Sequence, residues 1–180
     1  MLKTSRLLLR APARDDAERI SAYYARNAAR FAPWMNDTTL GLNGSEWVDW
    51  HHAKSELGRA KTFLVFSGLE LAGIVELDAI SAGSDASAIL AYSLDADYEG
   101  LGLGREAVEA VVRYAFDELH VAVLIAHFHP RNQRSRALLE RIGFTVQHVV
   151  AEVPSNVQGL MQPRAMALLR SPGGSGLPVR

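Results

Sequence analysis

The spacing of apolar residues changes several times along the chain, and each change marks a predicted element. An apolar run over residues 6–10 ends just before a proline, which is typical of a short buried strand. Helical spacing follows twice, from about Asp15 and from about Ser45, and both residues can act as N-caps. From residue 62 the spacing becomes that of strands, with a hairpin over residues 62–80 and a further strand over residues 88–94.

The second half of the chain alternates helices and strands. Apolar residues recur at helical spacing over residues 107–119, and the apolar run over residues 121–126 is typical of a central strand buried on both faces. A helix over residues 132–141 ends at a glycine, and two strands follow, over residues 146–153 and 165–169. The order β-α-α-β-β-β-α-β-α-β-β predicts an α/β (α+β) fold, in which about four helices flank a mixed sheet of about seven strands.

Composition and charge exclude several classes of protein. With 180 residues, 48% of them apolar and 22% charged, the chain is typical of one domain, which we assign to residues 1–170. The Gly- and Pro-rich residues 171–180 are predicted to form a flexible tail. A net charge of −1 provides no general attraction to nucleic acid or membranes, and the lack of a signal peptide or transmembrane run predicts a cytoplasmic protein. Because cysteine is absent, disulfides, thiolate zinc sites and a cysteine nucleophile are excluded.

The most informative stretch is a glycine turn, residues 99–105, with the sequence Glu-Gly-Leu-Gly-Leu-Gly-Arg. Glycine permits left-handed backbone, and the first N–H groups of the following helix have no partner within it, so the backbone alone can hold a phosphate. We interpret the turn as a pyrophosphate cradle; a loop that merely starts a helix is the simpler alternative. Gly102, Gly104 and Ala107 also match a dinucleotide fingerprint, but residues 126–129, Ala-His-Phe-His, lack the acidic residue that it requires.

A second informative motif begins just after the predicted central strand. Pro130 is followed by Asn132 and Ser135 in the pattern N-x-x-S, then by an apolar helix and the pair Gly143-Phe144. This motif resembles the second signature of the GCN5-related N-acetyltransferases (GNAT), and the glycine turn resembles their first signature. Both signatures occur in the family's order and separation, and the resemblance covers roughly residues 4–169.

Shorter features resemble one branch of that family. Residues 6–10, the Pro33-Trp34 loop and residues 91–94 are similar to the ribosomal-protein alanine/serine N-acetyltransferases, the RimJ/RimL-like branch. The resemblance implies a mostly antiparallel sheet with splayed central strands. It also implies transfer of the acetyl group of acetyl-CoA to a primary amine, by direct attack in a ternary complex. A protein N-terminal α-amino group is the favoured acceptor. The alternatives are a polyamine or other small amine, or a non-catalytic acyl-CoA-binding regulatory domain.

The resemblance assigns a set of residues to the coenzyme. In this family the pantetheine arm adds like a short strand to the strand that corresponds to residues 88–94, so the neighbouring strand must diverge there. A backbone N–H near Leu94 would polarise the thioester carbonyl, and no metal is required. The residues assigned to acetyl-CoA are Tyr92, Ser93, Leu94, Gly100, Leu101, Gly102, Leu103, Gly104, Arg105, Asn132, Ser135 and Arg136.

Candidate catalytic groups follow from the same resemblance and from the chemistry. Ser135 would protonate the departing thiolate, because the tyrosine that many family members place in that helix is absent, and Tyr114 belongs to the preceding helix. The attacking amine must lose a proton, and Glu76 and Glu152 are the candidate general bases. Each also fits a simpler role, Ser135 as a helix-start residue and the two glutamates as solvent-facing strand residues.

The sequence also predicts where three further side chains lie. Trp34 and Trp47 are expected to shape the acceptor cleft, although tryptophans usually pack in a core. Glu99 stands where the family commonly has Gln, Arg or Trp, and since an acid beside a pyrophosphate is unfavourable, we expect its side chain to face solvent. The expected partners are acetyl-CoA and a peptide N-terminus or small amine, with no nucleic acid, membrane or metal. The oligomeric state is left open, with a homodimer as one option.

Overall fold

The protein is built on one mixed sheet with helices packed on both faces. The computed structural model describes residues 1–35, 42–83, 85–154 and 161–172, so most of the predicted tail lies outside the described residues. Its strands are β1 (Leu2–Lys3), β2 (Leu8–Arg10), β3 (Lys61–Ser67), β4 (Glu70–Asp78), β5 (Ser87–Leu94), β6 (Val123–Phe128), β7 (Thr145–Pro154) and β8 (Met161–Arg170). Its helices are α1 (Ala17–Phe31), α2 (Gly44–Glu56), α3 (Leu103–Asp117) and α4 (Gln133–Ile142).

The strand order confirms the predicted fold class and adds one strand. The order is β1-β2-β3-β4-β5-β6-β8-β7, and every neighbouring pair is antiparallel except β5 and β6, which are parallel. The sheet has eight strands within the described residues, against about seven predicted, because the two-residue β1 pairs with β2 at the edge. No helix in the described part of the chain is long and apolar enough to cross a membrane.

The parallel strands β5 and β6 separate at their carboxyl ends. Their pairing ends at Leu90 and Ala126, although β5 continues to Leu94 and β6 to Phe128. The expected divergence of the central strands is therefore confirmed. Beyond Leu90, β5 keeps β4 as a neighbour on one side and has an open edge on the other.

Two apolar clusters cover the two faces of the sheet. Successive strand residues point to opposite faces, and on β3 the buried Phe63 belongs to the cluster of α3, whereas the buried Leu64 belongs to the cluster of α1 and α2. In α1 the buried residues recur at the spacing of one helix face, from Ile20 to Phe31. This two-sided burial holds β4 and β5 in the middle of the molecule, where the site lies.

Two helices begin elsewhere than predicted. The N-cap of α2 is Asn43, not Ser45: its side chain accepts a hydrogen bond from the Glu46 N–H at 3.0 Å, and the Glu46 carboxylate accepts one from the Asn43 N–H at 3.1 Å. This reciprocal pair is a capping box, and its Asn-x-x-Glu spacing is a stronger signal than a single serine. Asp15 lies in a 3₁₀ turn, and α1 begins only at Ala17.

Two strands are also displaced from their predicted positions. The first apolar run is a strand only over Leu8–Arg10, because residues 4–6 turn towards the Glu106 carboxylate. The central strand β6 begins at Val123, later than predicted, because the Val121 N–H donates to the Ala115 carbonyl at 3.0 Å and closes the connection after α3.

Candidate active site

The glycine turn presents bare backbone at the start of α3. Gly100 and Gly102 have φ values of +74° and +76°, a left-handed conformation that residues with a side chain rarely adopt. Gly102 is the N-cap of α3, so no side chain caps the helix. A Cβ atom at Gly100 would point into open space, with no contact within 4 Å. Open N–H groups at the positive end of a helix suit a diphosphate, and the turn therefore fits the coenzyme predicted for it.

Hydrogen bonds to Glu106 connect the start of the chain to the glycine turn. The Glu106 carboxylate accepts from the Thr4 hydroxyl at 2.6 Å, the Ser5 hydroxyl at 3.0 Å and the Arg6 Nε at 2.7 Å. Burial opposes ionisation of Glu106, but these bonds outweigh burial and lower its pKa to about 2. Arg6 Nη1 also donates to the Leu101 carbonyl at 2.9 Å, which places a guanidinium group beside the turn.

The side chain of Glu99 was expected to face solvent, and this expectation was wrong. Its carboxylate accepts hydrogen bonds from Arg30 at the end of α1 and from Arg134 in α4. Arg30 also donates to the Leu94 carbonyl at the end of β5. The two guanidinium groups compensate the negative charge, which explains why an acid is tolerated next to a phosphate-binding turn. Nothing in the local sequence signals this pairing, because the three residues come from three separate elements.

The open edge of β5 presents backbone groups to the gap between β5 and β6. The Asp95 N–H donates to the Ala72 carbonyl at 2.8 Å, on the side of β4. Since the backbone groups of successive strand residues alternate in direction, the N–H groups of Leu94 and Tyr92 point away from β4. They lie beyond the last β5–β6 pair, where an extended ligand can add as a strand.

The start of α4 brings two predicted residues together. The Asn132 side chain accepts a hydrogen bond from the Ser135 N–H at 3.1 Å, so Asn132 serves as the N-cap of α4. The Ser135 hydroxyl lies 2.8 Å from the Tyr92 hydroxyl, which also lies 3.2 Å from the Ser135 carbonyl oxygen. Burial raises the pKa of Tyr92 to about 12, although the bond to Ser135 lowers it, so Tyr92 keeps its proton at neutral pH. The sequence patterns do not predict this pair.

A cavity of about 240 Å³ lies where the central strands separate. Glu76 from β4 lines it together with Tyr92 and Ser135, and so does Trp34. The cavity therefore brings together three residues that the sequence assigned to different roles. Sequence reasoning missed Arg164 on β8, which also lines the cavity and donates from Nη1 to the Trp34 carbonyl at 3.3 Å.

Glu76 has a buried partner that sequence reasoning also missed. His51 Nε2 lies 2.5 Å from the Glu76 Oε1, and His51 Nδ1 lies 2.7 Å from the Trp47 carbonyl oxygen. His51 is 3% exposed, whereas the Glu76 side chain is 30% exposed and reaches the cavity. The two residues come from α2 and β4, and no spacing in the sequence connects them.

One predicted site residue lies away from the cavity, and the side chain of another is not described. Trp47 is 0% exposed and packs in the core against Tyr24 and His51, so its assignment to the acceptor cleft was wrong. Its position on the inner face of α2 is the usual one for a large aromatic side chain. Glu152 lies on β7 opposite Pro163, and its side chain is outside the described part of the structure.

The side chains of two predicted coenzyme residues lie along their own helices. Arg105 donates to Glu109 at 2.7 Å in α3, and Arg136 donates to Glu140 at 2.9 Å in α4. Both are pairs between residues four positions apart on an exposed helix face. The geometry therefore leaves the backbone of Arg105, rather than its guanidinium group, as the part directed to the glycine turn.

These parts define a class of protein. A sheet split between two parallel strands, a bare helix start that suits a diphosphate, and a cavity with a carboxylate and a Tyr–Ser pair are the parts of an acyl-CoA-dependent acetyltransferase. Residues 6–145 match the family model of the acetyltransferase (GNAT) domain, and the chain belongs to this family. It is an N-acetyltransferase that uses acetyl-CoA as its co-substrate.

Known proteins of similar sequence and structure agree with this assignment. The chain is 31% identical over 156 residues to the [ribosomal protein uS5]-alanine N-acetyltransferase of Escherichia coli (strain K12), a match that covers 79% of this chain and 77% of that protein. The solved structure of the microcin C7 self immunity acetyltransferase MccE, in complex with acetyl-CoA and AMP, has a TM-score of 0.84 at 18% identity and covers 93% of this chain and 94% of its own. The solved structure of the ribosomal-protein-S5-alanine acetyltransferase from Vibrio fischeri has a TM-score of 0.83 at 21% identity, and the match covers 97% of this chain and 98% of that chain. These two structures show the shared fold.

Proposed function

We propose that this protein acetylates the N-terminal α-amino group of a polypeptide. The observation that carries the proposal is that Glu76, Tyr92 and Ser135 line the same cavity, beside the open edge of β5. A carboxylate, a hydroxyl pair and a strand edge around one space suit acyl transfer to an amine. The name of the Escherichia coli relative, an alanine N-acetyltransferase of ribosomal protein uS5, supports this choice of acceptor. We place the catalytic domain at residues 1–170 and a tail at residues 171–180.

The coenzyme would be held mainly by backbone. When bound, acetyl-CoA supplies an acetyl group activated as a thioester. The N–H groups of residues 100–105 would bind its diphosphate, and the open edge at Tyr92 and Leu94 would bind its pantetheine arm. Arg30 fixes the end of β5 through the Leu94 carbonyl, so the Leu94 N–H keeps its direction as a donor to the acyl oxygen.

Glu76 would act as the general base. An α-amino group has an ordinary pKa of roughly 7.7 to 8.0, so near neutral pH much of it is protonated and must lose a proton before it attacks. The Glu76 carboxylate lines the cavity and would take that proton, directly or through one water molecule. Glu152 stays the second candidate, because β7 runs beside β8, which contributes Arg164 to the cavity.

Ser135 would supply the proton for the departing sulfur, and Tyr92 would assist by a hydrogen bond to Ser135. The Ser135 hydroxyl can donate to the sulfur while the Tyr92 hydroxyl donates to the Ser135 Oγ and stabilises its developing negative charge. The raised pKa of Tyr92 ensures that a hydrogen is available for this bond at neutral pH. The pair thus replaces the single tyrosine that many family members carry on this helix.

A matched set of acceptors tests the proposal. The full chain is incubated with acetyl-CoA and with a peptide whose N-terminus is free, the same peptide with a formylated N-terminus and an internal lysine, and spermidine, while thiol release and mass are followed. We expect turnover only with the free N-terminus. Faster turnover of spermidine would favour the small-amine alternative, and coenzyme binding with no turnover on any amine would favour a regulatory domain.

A further inference from the structure

We propose that His51 is a positioning residue that donates hydrogen bonds from both ring nitrogens and thereby fixes the direction of the Glu76 carboxylate. The inference rests on the proposed function, in which Glu76 takes the proton of the acceptor amine. His51 does not line the acetyl-transfer cavity. Its contact with the cavity is indirect, because it bonds to Glu76, and Glu76 lines the cavity. Its role is therefore indirect, and it follows from the hydrogen bonds of its two ring nitrogens.

Both ring nitrogens of His51 face groups that can only accept. The Trp47 carbonyl oxygen, 2.7 Å from Nδ1, has no hydrogen to donate, so Nδ1 must carry one. In the proposed function Glu76 acts as a base, so its carboxyl group is ionised before the amine arrives; such a carboxylate, 2.5 Å from Nε2, has no hydrogen to donate, and a lone pair facing it at this distance would be repelled. With both nitrogens donating, His51 is an imidazolium and Glu76 is a carboxylate. Each charge then compensates the other in a partly buried site.

Packing leaves the imidazole ring one orientation. The ring of Trp47 stacks on it with centroids 3.6 Å apart, and the ring of Trp50 meets it edge-on at 4.8 Å. Because His51 is 3% exposed and its ring stacks on the fully buried Trp47, rotation away from Glu76 would break this stack. The face of a tryptophan also attracts a cation, which favours the imidazolium form.

This arrangement gives Glu76 a defined working oxygen. His51 holds Oε1, so Oε2 is the oxygen left to meet an amine or a water molecule in the cavity. A base held in one orientation loses less entropy when it engages the acceptor.

Nitrogen NMR of the full chain tests the charge state without any assay of activity. Protein labelled with ¹⁵N-histidine is measured near neutral pH, and the His51 signals are assigned by their loss in His51→Gln. We expect both His51 nitrogens to carry hydrogen in the wild type. In Glu76→Gln the amide can donate to Nε2, so His51 should become neutral with a hydrogen on Nδ1 alone. A wild-type His51 with a bare Nε2 would overturn the proposal.

Kinetics then test the positioning role. For His51→Gln we expect kcat to fall by about 10- to 100-fold with the KM for acetyl-CoA unchanged, because the amide cannot bond to Trp47 and Glu76 together. His51→Ala opens space beside a second cavity of about 230 Å³, which His51 itself lines, and added imidazole should raise its kcat by about tenfold. A purely structural role would show no such rescue, and its absence in a folded variant contradicts the inference.

A neighbouring histidine provides the matched control. His52 follows directly in α2, and its Nε2 lies 2.7 Å from the Pro12 carbonyl oxygen, away from Glu76. We expect His52→Gln to keep wild-type kcat and to show no response to imidazole. If the wild type itself turns over no amine, the proposed function fails, whereas the NMR result still decides the charge state of His51.

Discussion

The proposed coenzyme side and the proposed acceptor side of the site are built in different ways. The coenzyme side consists of backbone: a glycine turn of consecutive residues, a helix start and the open edge of β5. The acceptor side consists of single side chains from separate elements, with Glu76 from β4, His51 from α2 and Arg164 from β8. Recognition of a coenzyme that all family members share can therefore stay constant, while the acceptor side can change by substitution of individual side chains.

The two sides also carry charge differently. Beside the glycine turn, Arg30 and Arg134 pair with Glu99, and Arg6 pairs with Glu106, so these five side chains leave one positive charge in excess next to the bare backbone. On the acceptor side, the Glu76 carboxylate pairs with His51, and both Glu76 and Arg164 line the cavity with their side chains. A backbone site suits a doubly charged diphosphate of fixed shape, whereas full charges suit the selection of an amine and the removal of its proton.

We expect the largest effect when the backbone of the coenzyme side is changed. A valine at Gly102 must leave the φ of +76°, because a β-branched residue is strained there, and the start of α3 would then change direction. Affinity for CoA should fall by more than about 100-fold in titration calorimetry. Gly58→Val is the control, since Gly58 has a φ of +68° in a turn after α2 and faces open space. Equal CoA affinity of Gly102→Val and the wild type would refute the role of the turn.

On the acceptor side, Glu76→Gln should affect turnover and leave coenzyme binding intact. Without the carboxylate, the amine loses the base that we propose for it, and kcat should fall by about 100- to 1,000-fold near neutral pH. Affinity for CoA should match the wild type. Asp78→Asn, two residues along β4 and paired with Lys54 at the surface, should keep wild-type kcat. Loss of CoA affinity in Glu76→Gln would show that the two sides are not separate.

The Tyr92–Ser135 pair lies between the two sides, and its effect should be smaller. Tyr92→Phe and Ser135→Ala should each lower kcat by about tenfold, because each breaks the same hydroxyl contact of 2.8 Å. In a double-mutant cycle the two changes together should cost little more than either alone. Additive losses in kcat would mean that the two hydroxyl groups act independently.

The smallest expected effect on activity comes from Glu106, whose role is structural. The pKa of Glu106 is about 2, below its ordinary value of 4.5, so its hydrogen bonds stabilise the fold above about pH 4.5 and this contribution is lost as the pH falls towards 2. Glu106→Gln should lower the free energy of unfolding by roughly 1–2 kcal/mol at pH 7 in urea titrations, with kcat nearly unchanged. The difference from the wild type should shrink at pH 3. Glu109→Gln, paired only with Arg105 on the helix surface, should show neither effect.

Residues that are close in the sequence account for what could be predicted. The helix start at the glycine turn, the stop at Gly143 with a φ of +108° and the alternation of strands and helices depend on local backbone preference and on apolar spacing. These features sufficed for the fold class and the family, and they are the basis of the proposed coenzyme side. Where a local signal failed, as with Ser45 in place of Asn43, a competing local signal was stronger.

The acceptor side depends on contacts between distant residues. Trp47 and Trp34 have the same side chain, yet the packing of α2 buries the first in the core and the loop after α1 brings the second to the cavity. Glu99 meets Arg30 and Arg134, and Glu76 meets His51, only because the sheet and helices bring those elements together. The sequence by itself determined a GNAT fold and a backbone site for the coenzyme, because both arise from neighbouring residues. Only the tertiary structure decided which side chains surround the amine, because their positions depend on strand register and helix packing across the whole chain.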